Sequence, residues 1–359
     1  MESERRTFSF GWIPDYPDFR DYTEASASIR EILLPTGLPP ARDIPLPGAG
    51  KIAPGKDLTK TTVAKDPARP KSLPSAVDLR EWCSAVEDQR NLGSCTANAG
   101  VGVIEYYERK SFGRHIDASR LFLYKVTRNL MKQKGDTGAY LRKTMAAMVL
   151  FGVPPEEYWP YTDDEQKFDN EPPAFCYAFA QSYKTLQYYR HDSPGILPGA
   201  VLERVKTHLA AGHPSMFGFT VYSSIERADK RGAIPFPGPS ERILGGHAVA
   251  AVGYDDRMTI PCGGRGTKKE GGISGAHTAG WSGSQDSDAF REAGAGAGPG
   301  SGTSAEETTG ALLIRNSWGT GWGEGGYGWL PYEYILRGLA EDFWSILKKE
   351  WIDTGVFNV

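Results

Sequence analysis

Four residues carry the chemistry that this chain can be expected to perform: Gln89, Cys95, His247 and Asn316. Cys95 stands in the run Gln89-Arg90-Asn91-Leu92-Gly93-Ser94-Cys95-Thr96-Ala97, directly after a Gly-Ser turn and at the head of a small-residue stretch. His247 lies in Gly245-Gly246-His247-Ala248, and Asn316 in Arg315-Asn316-Ser317-Trp318-Gly319. A lone cysteine is most often a small buried hydrophobe. A thiol accompanied by an imidazole, an amide to orient it and a second amide just upstream is a different matter. That set supplies a nucleophile, a base, the group that orients the base and an oxyanion donor.

The thiolate is the attacking form. A cysteine at a helix N-terminus meets unpaired backbone N–H groups and the positive end of the dipole, which favour the anion. A neighbouring His247 imidazolium would lower the thiol further and then protonate a leaving amine, with Asn316 holding its second ring nitrogen. Oxygen becomes an anion when sulfur adds to a carbonyl. The Gln89 side-chain amide and the Cys95 backbone N–H are the expected donors, each worth roughly 3 kcal/mol of barrier. Trp318, two residues past Asn316, is placed to cover the His–Asn bond.

The elements that must position these groups follow from periodicity. Residues 96–110 have apolar positions at helical spacing with Gly113 as a stop, and Ala97, Ala99, Gly100 and Gly102 keep that helix slim. Further helices are expected over 118–131, 139–151 and 200–211. Strands are expected over Ser215–Val221, Ala248–Tyr254, Ala311–Asn316 and Gly326–Pro331. Helices first and strands later indicate an α+β protein with segregated halves. Residues 1–72 are turn- and proline-rich with an aromatic run, Phe8 to Pro17, that suits lying along a groove of the body at 73–359. The Gly-rich stretch 257–310 reads as a disordered insertion between two strands.

With 359 residues the chain can bury a large core, and a net charge of -3 gives no reason to expect a nucleic acid as partner. No apolar run is long enough to enter a membrane as a helix, and no secretory signal is visible, which favours an intracellular protein. Cys83, Cys176 and Cys262 have no CxxC spacing, and His208 and His213 lie five apart, so no metal and no cofactor are expected.

These motifs resemble those of the papain family of cysteine peptidases. The resemblance runs from about residue 73 to the C-terminus: Leu73 to Arg80, Gln89 to Cys95, Tyr158-Trp159-Pro160-Tyr161, Gly246-His247-Ala248, and Asn316 through Tyr327. It implies a two-lobe fold, a helical lobe carrying the thiol and an antiparallel β-barrel-like lobe carrying His and Asn, with the site in the cleft between. It also implies endopeptidase action on peptide or protein substrates and an inhibitory N-terminal propeptide, here residues 1–72 occupying the cleft in cis. Gly138 is the counterpart of a substrate-wall glycine. Leu92 and Thr96 replace a cysteine and a tryptophan of the family pattern, so one common disulfide is impossible. The alternatives are a transpeptidase or ligase using the same acyl-enzyme, or an inactive relative that only binds peptides.

Overall fold

The structure, a computed structural model, describes residues 9–24, 26, 29, 73–183, 187–263 and 307–347. Helix α1 (Cys95–Phe112) ends at Gly113, whose φ of 69° closes the last turn with a bond to Arg109 O. Helices α2 (Arg120–Met131) and α3 (Leu141–Leu150) pack beside it. The glycines of α1 are where neighbours come closest: a Cβ on Gly100 would touch Leu123 and Met148, and one on Gly102 would press on Arg315. Two short helices, α4 (Ala174–Ala180) and α6 (Glu333–Leu336), were not expected; α5 (Pro198–Ala210) was.

The strands are β1 (Ala76–Asp78), β2 (Gln187–Arg190), β3 (Ser215–Tyr222), β4 (Ile243–Pro261), β5 (Glu307–Arg315), β6 (Tyr327–Pro331) and β7 (Ala340–Leu347). They form one antiparallel sheet in the order β2-β7-β3-β4-β5-β6, with β1 added to β4. Alternation along β4 divides the core. Ala248, Ala250 and Val252 face the cluster built on α1, α2 and α3, whereas Val249 and Ala251 face the cluster built on α5 and α6. The helical lobe and the sheet lobe thus meet along α1 and β4.

The segregation of halves is looser than expected, because β1 and β2 come from early in the chain and pair with late strands. Strand β7 escaped the period-two reading because it is buried on both faces, and its polar Glu341, Asp342 and Ser345 follow no alternation. The bounds 257–310 for a disordered insertion also need correcting. Arg257 to Pro261 extend β4 and Glu307 to Gly310 extend β5, paired Thr259 to Thr309 and Ile260 to Thr308. Ile260 and Thr308 are buried there, and the Thr308 hydroxyl donates to Ile260 O. The Gly-rich centre, 264–306, lies outside the described residues.

Candidate active site

Cys95 opens α1 and is fully buried. Its sulfur accepts the backbone N–H of Ala248 at 3.4 Å, which brings β4 and the residue next to His247 directly onto the nucleophile. His247 Nε2 lies 2.8 Å from Asn316 Oδ1, just past the end of β5. The orientation of that amide is fixed by Ser317, whose backbone N–H donates to the same Oδ1 at 2.8 Å. Oδ1 can only accept, so Nε2 carries the ring proton and Nδ1 holds the lone pair. His247 Nδ1 has no hydrogen-bond partner. Trp318 stacks on the imidazole with ring centroids 4.5 Å apart and planes 21° apart, and is itself buried, so it shields the His–Asn bond from water.

Gln89 is fully buried, and it and Asp88 are tied to the Asn316 loop. The Gln89 backbone N–H donates to Ser317 O at 2.8 Å, its Oε1 accepts the Ser317 hydroxyl at 2.5 Å, and Asp88 bridges Trp318. With Oε1 held there, Nε2 must turn toward the cleft, where it donates to Leu92 O at 2.9 Å and to Ser9 O at 3.1 Å. Ser317 is thus a positioning residue that the sequence reading passed over. Its only signal was its place between Asn316 and Trp318.

The cleft is filled by the chain's own N-terminal segment. Gly11 N and Trp12 N both donate to Gly246 O, at 3.1 and 3.0 Å. Ala139 N donates to Gly11 O at 2.7 Å, and Ile13 N to Ala139 O at 3.1 Å. The approach is tight enough that a Cβ on Gly11 would sit 1.8 Å from Gly93 O. Phe10 meets His247 and Trp318 edge-on, each at 6.1 Å. Trp12 covers Gly218 and donates from Nε1 to Asp342 Oδ2 at 3.1 Å. Beyond the cleft, Asp15 accepts from Arg142 Nε at 2.6 Å, Arg190 Nη1 donates to Asp15 O, and Arg190 N donates to Tyr22 O. Asp21 completes the pair with Arg142.

Gly138, the expected substrate-wall residue, lines this contact without bonding to the segment. A Cβ there would lie 2.3 Å from Gly11 O, and its φ of 71° favours glycine in any case. The two ladder bonds come from its neighbour Ala139.

Burial decides the protonation of this closed site. Desolvation pushes the Cys95 thiol up to about 12, against the backbone N–H groups of Ala248, Gly11 and Thr96, which favour the anion. Desolvation likewise pushes His247 down to about 4, against its bond to Asn316. Burial in the filled cleft therefore works against the thiolate–imidazolium pair expected from the sequence. With water excluded, the neutral pair is preferred.

The two departures from the family pattern have structural replacements. Thr96 is buried and accepts the Thr144 hydroxyl at 3.1 Å, joining α1 to α3 behind the nucleophile. Leu92 packs with Leu121 and Phe168 where a disulfide cysteine would otherwise stand. All four cysteines are free. Among the described residues, two groups have the composition of a metal site: Glu24, His191 and His208, and Glu87, Asp117 and Glu156. In the second, Arg120 already bridges Glu87 and Glu156, at 2.9 and 3.1 Å. No helix among the described residues is long and apolar enough to cross a membrane.

Comparison with known proteins agrees with this geometry. Residues 73–264 match the model of the papain family cysteine proteases. A peptidase C1-like protein of Acanthamoeba polyphaga mimivirus is 30% identical over 81% of this chain and 80% of its own length. Among solved structures, xylellain, a cysteine protease from Xylella fastidiosa, superposes with a TM-score of 0.57 at 27% identity, covering 97% of this chain and 99% of that one. The chain belongs to the papain family of cysteine proteases, hydrolases that act on peptide bonds.

Proposed function

We propose that the protein is an endopeptidase that works through a thioester acyl-enzyme and is held latent by residues 1–72. The observation that carries this reading is the linkage of Cys95 to β4 through Ala248, together with the His247–Asn316 bond that leaves Nδ1 as the unoccupied base. In the open site, His247 Nδ1 takes the Cys95 proton and the thiolate adds to the substrate carbonyl. Gln89 Nε2 and the Cys95 N–H hold the oxyanion; the imidazolium returns its proton to the leaving amine, and water resolves the thioester.

Latency follows from the same contacts. Ser9 O takes the Gln89 Nε2 donor, the Gly11 and Trp12 amides take Gly246 O, and both reacting side chains are cut off from solvent. Extended pairing with Ala139 is the backbone complement that a peptide substrate would use, so segment and substrate compete for one surface.

Three preparations test this reading: the full chain, a chain cleaved or truncated after residue 72, and a truncated Cys95→Ala variant. Hydrolysis of an internally quenched peptide is expected only from the truncated wild type. Residual hydrolysis by the Cys95→Ala variant refutes the mechanism, and equal activity of the full chain refutes the latency. Adding an amine nucleophile separates hydrolysis from transpeptidation, since only a ligase-type enzyme diverts most acyl-enzyme to the amine.

A further inference from the structure

The N-terminal segment leaves the cleft and brings Glu24 to a buried position against two histidines of the sheet lobe. His191 follows β2 and His208 lies in the last turn of α5; both are buried. Glu24 Oε1 is 3.1 Å from His191 Nδ1 and 3.6 Å from His208 Nε2, and the three atoms lie within 4.8 Å of one another.

The hydrogen bonds around this trio constrain where its protons are. His208 Nδ1 lies 2.9 Å from Arg204 O, a carbonyl that can only accept, so Nδ1 carries the proton and Nε2 presents a lone pair. That Nε2 has no hydrogen-bond partner although the residue is only 3% exposed. His191 Nε2 lies 2.9 Å from Ser345 Oγ and 3.3 Å from Ser215 Oγ. Ser345 has one proton and three acceptors in reach: Pro214 O at 3.1 Å, Ser215 Oγ at 3.0 Å and His191 Nε2. When it donates to Pro214 O, His191 keeps its proton on Nε2 and turns its Nδ1 lone pair toward Glu24; when it donates to the ring, Nδ1–H donates to Glu24. The first arrangement leaves two imidazole lone pairs and a carboxylate oxygen converging on one point, which a cation would fill.

We propose that Glu24, His191 and His208 form a binding site for a divalent cation of the zinc class, which staples the N-terminal segment to β2 and α5. Bond lengths of roughly 2.0–2.2 Å to imidazole nitrogen and carboxylate oxygen place tetrahedral ligand atoms about 3.4 Å apart, close to the separations found here. Each imidazole has its outer nitrogen held by a protein oxygen, Arg204 O for His208 and the Ser345 hydroxyl for His191, as metal-ligating histidines commonly do. The fourth position falls to water or to the second Glu24 oxygen. The histidines lie far apart in sequence at no recognisable ligand spacing, and the third ligand comes from the leader. That separation leaves no ligand motif visible in the sequence.

The site stands apart from the catalytic groups, so its test needs no catalysis. Full-length Cys95→Ser protein, which lacks the reactive thiol as a competing ligand, is stripped with chelator and titrated calorimetrically with Zn²⁺, and separately with Co²⁺ under visible absorption. One equivalent per chain is expected, with Co²⁺ d–d bands and no thiolate charge-transfer band. Glu24→Gln and His208→Gln, each made alone, are expected to weaken binding by about tenfold or more. Near-ultraviolet circular dichroism in chelator checks that Glu24→Gln remains folded. No retained metal, or unchanged affinity in Glu24→Gln, overturns the proposal. In either case an imidazolium–carboxylate pair is the better account of the cluster. None of these results depends on whether the segment inhibits hydrolysis.

Discussion

Replacing Gly11 by alanine is the sharpest test of how the segment holds the cleft closed. The added methyl would lie 1.8 Å from Gly93 O, 2.3 Å from Gly93 C and 2.6 Å from Gly93 Cα, all backbone atoms that no rotamer change can move. Overpacking of this kind costs about 1–3 kcal/mol. Relieving it also lengthens the Gly11 N–Gly246 O and Ala139 N–Gly11 O bonds, each worth about 0.5–1.5 kcal/mol. The sum is about 2–6 kcal/mol against the closed arrangement, and each 1.4 kcal/mol is about tenfold in an equilibrium. Even the lower bound raises the open fraction roughly 30-fold. Iodoacetamide labelling of Cys95, followed by mass spectrometry, reads this fraction directly, because the buried thiol reacts only when the segment lifts. The expected result is labelling faster by about 30-fold or more, with hydrolysis appearing in the intact chain. Gly199→Ala is the control, since a Cβ there meets nothing within 4 Å. Labelling of Gly11→Ala at the parent rate, or an equal gain in Gly199→Ala, refutes the reasoning.

Three further outcomes follow from the same contacts. Trp12→Ala removes a side chain that is 2% exposed and bonded to Asp342, a loss of about 3–5 kcal/mol; hydrolysis by the uncleaved chain is the readout, and continued latency counts against the anchor. Ser317→Ala frees Gln89 Oε1 from its 2.5 Å bond, so in the truncated enzyme kcat is expected to drop about tenfold with KM little changed, roughly 1.5 kcal/mol; an unchanged kcat means that Ser317 does not hold the oxyanion donor. The closed form is also expected to weaken at both ends of the pH scale. His247 sits at about 4 when covered, against an ordinary 6.5, so the open form binds more protons and gains as pH falls from 6.5 toward 4. Cys95 sits at about 12 when covered, against an ordinary 9.0, so the open form loses its proton first and gains as pH rises past 9. Hydrogen exchange of residues 9–24, corrected for intrinsic rates, should show protection falling in both windows, and His247→Gln should flatten the acidic one. Protection that is flat with pH contradicts the assignment.

Much of the site was legible because its parts are short local motifs whose residue types are set by the chemistry. Cys95 needs a helix start behind it, His247 a strand that delivers it, and Asn316 a strand end. Each of those elements shows in the local pattern of 96–110, 248–254 and 311–316, although the helix and strands themselves run over 95–112, 243–261 and 307–315. The replacement of a disulfide half by Leu92 was also plain from one residue. What packs in its place, Leu121 and Phe168, was not, because that contact joins residues far apart in sequence.

Sequence by itself determined the chemical parts and the α+β class, because periodicity and reactive side chains are properties of short stretches; the two-lobe architecture came with the family resemblance that the motifs carry. Only the tertiary structure decided the state of those parts. The push of thiol and imidazole toward their neutral forms comes from burial under Phe10, Gly11 and Trp12, and burial is a property of the assembled molecule. The choice of Ala139 rather than Gly138 as the pairing backbone depends on the φ and direction of a loop, which residue type alone does not fix. The convergence of Glu24, His191 and His208 arises because a turn of the N-terminal segment, a sheet edge and a helix end arrive at one point, and no spacing along the chain encodes that meeting.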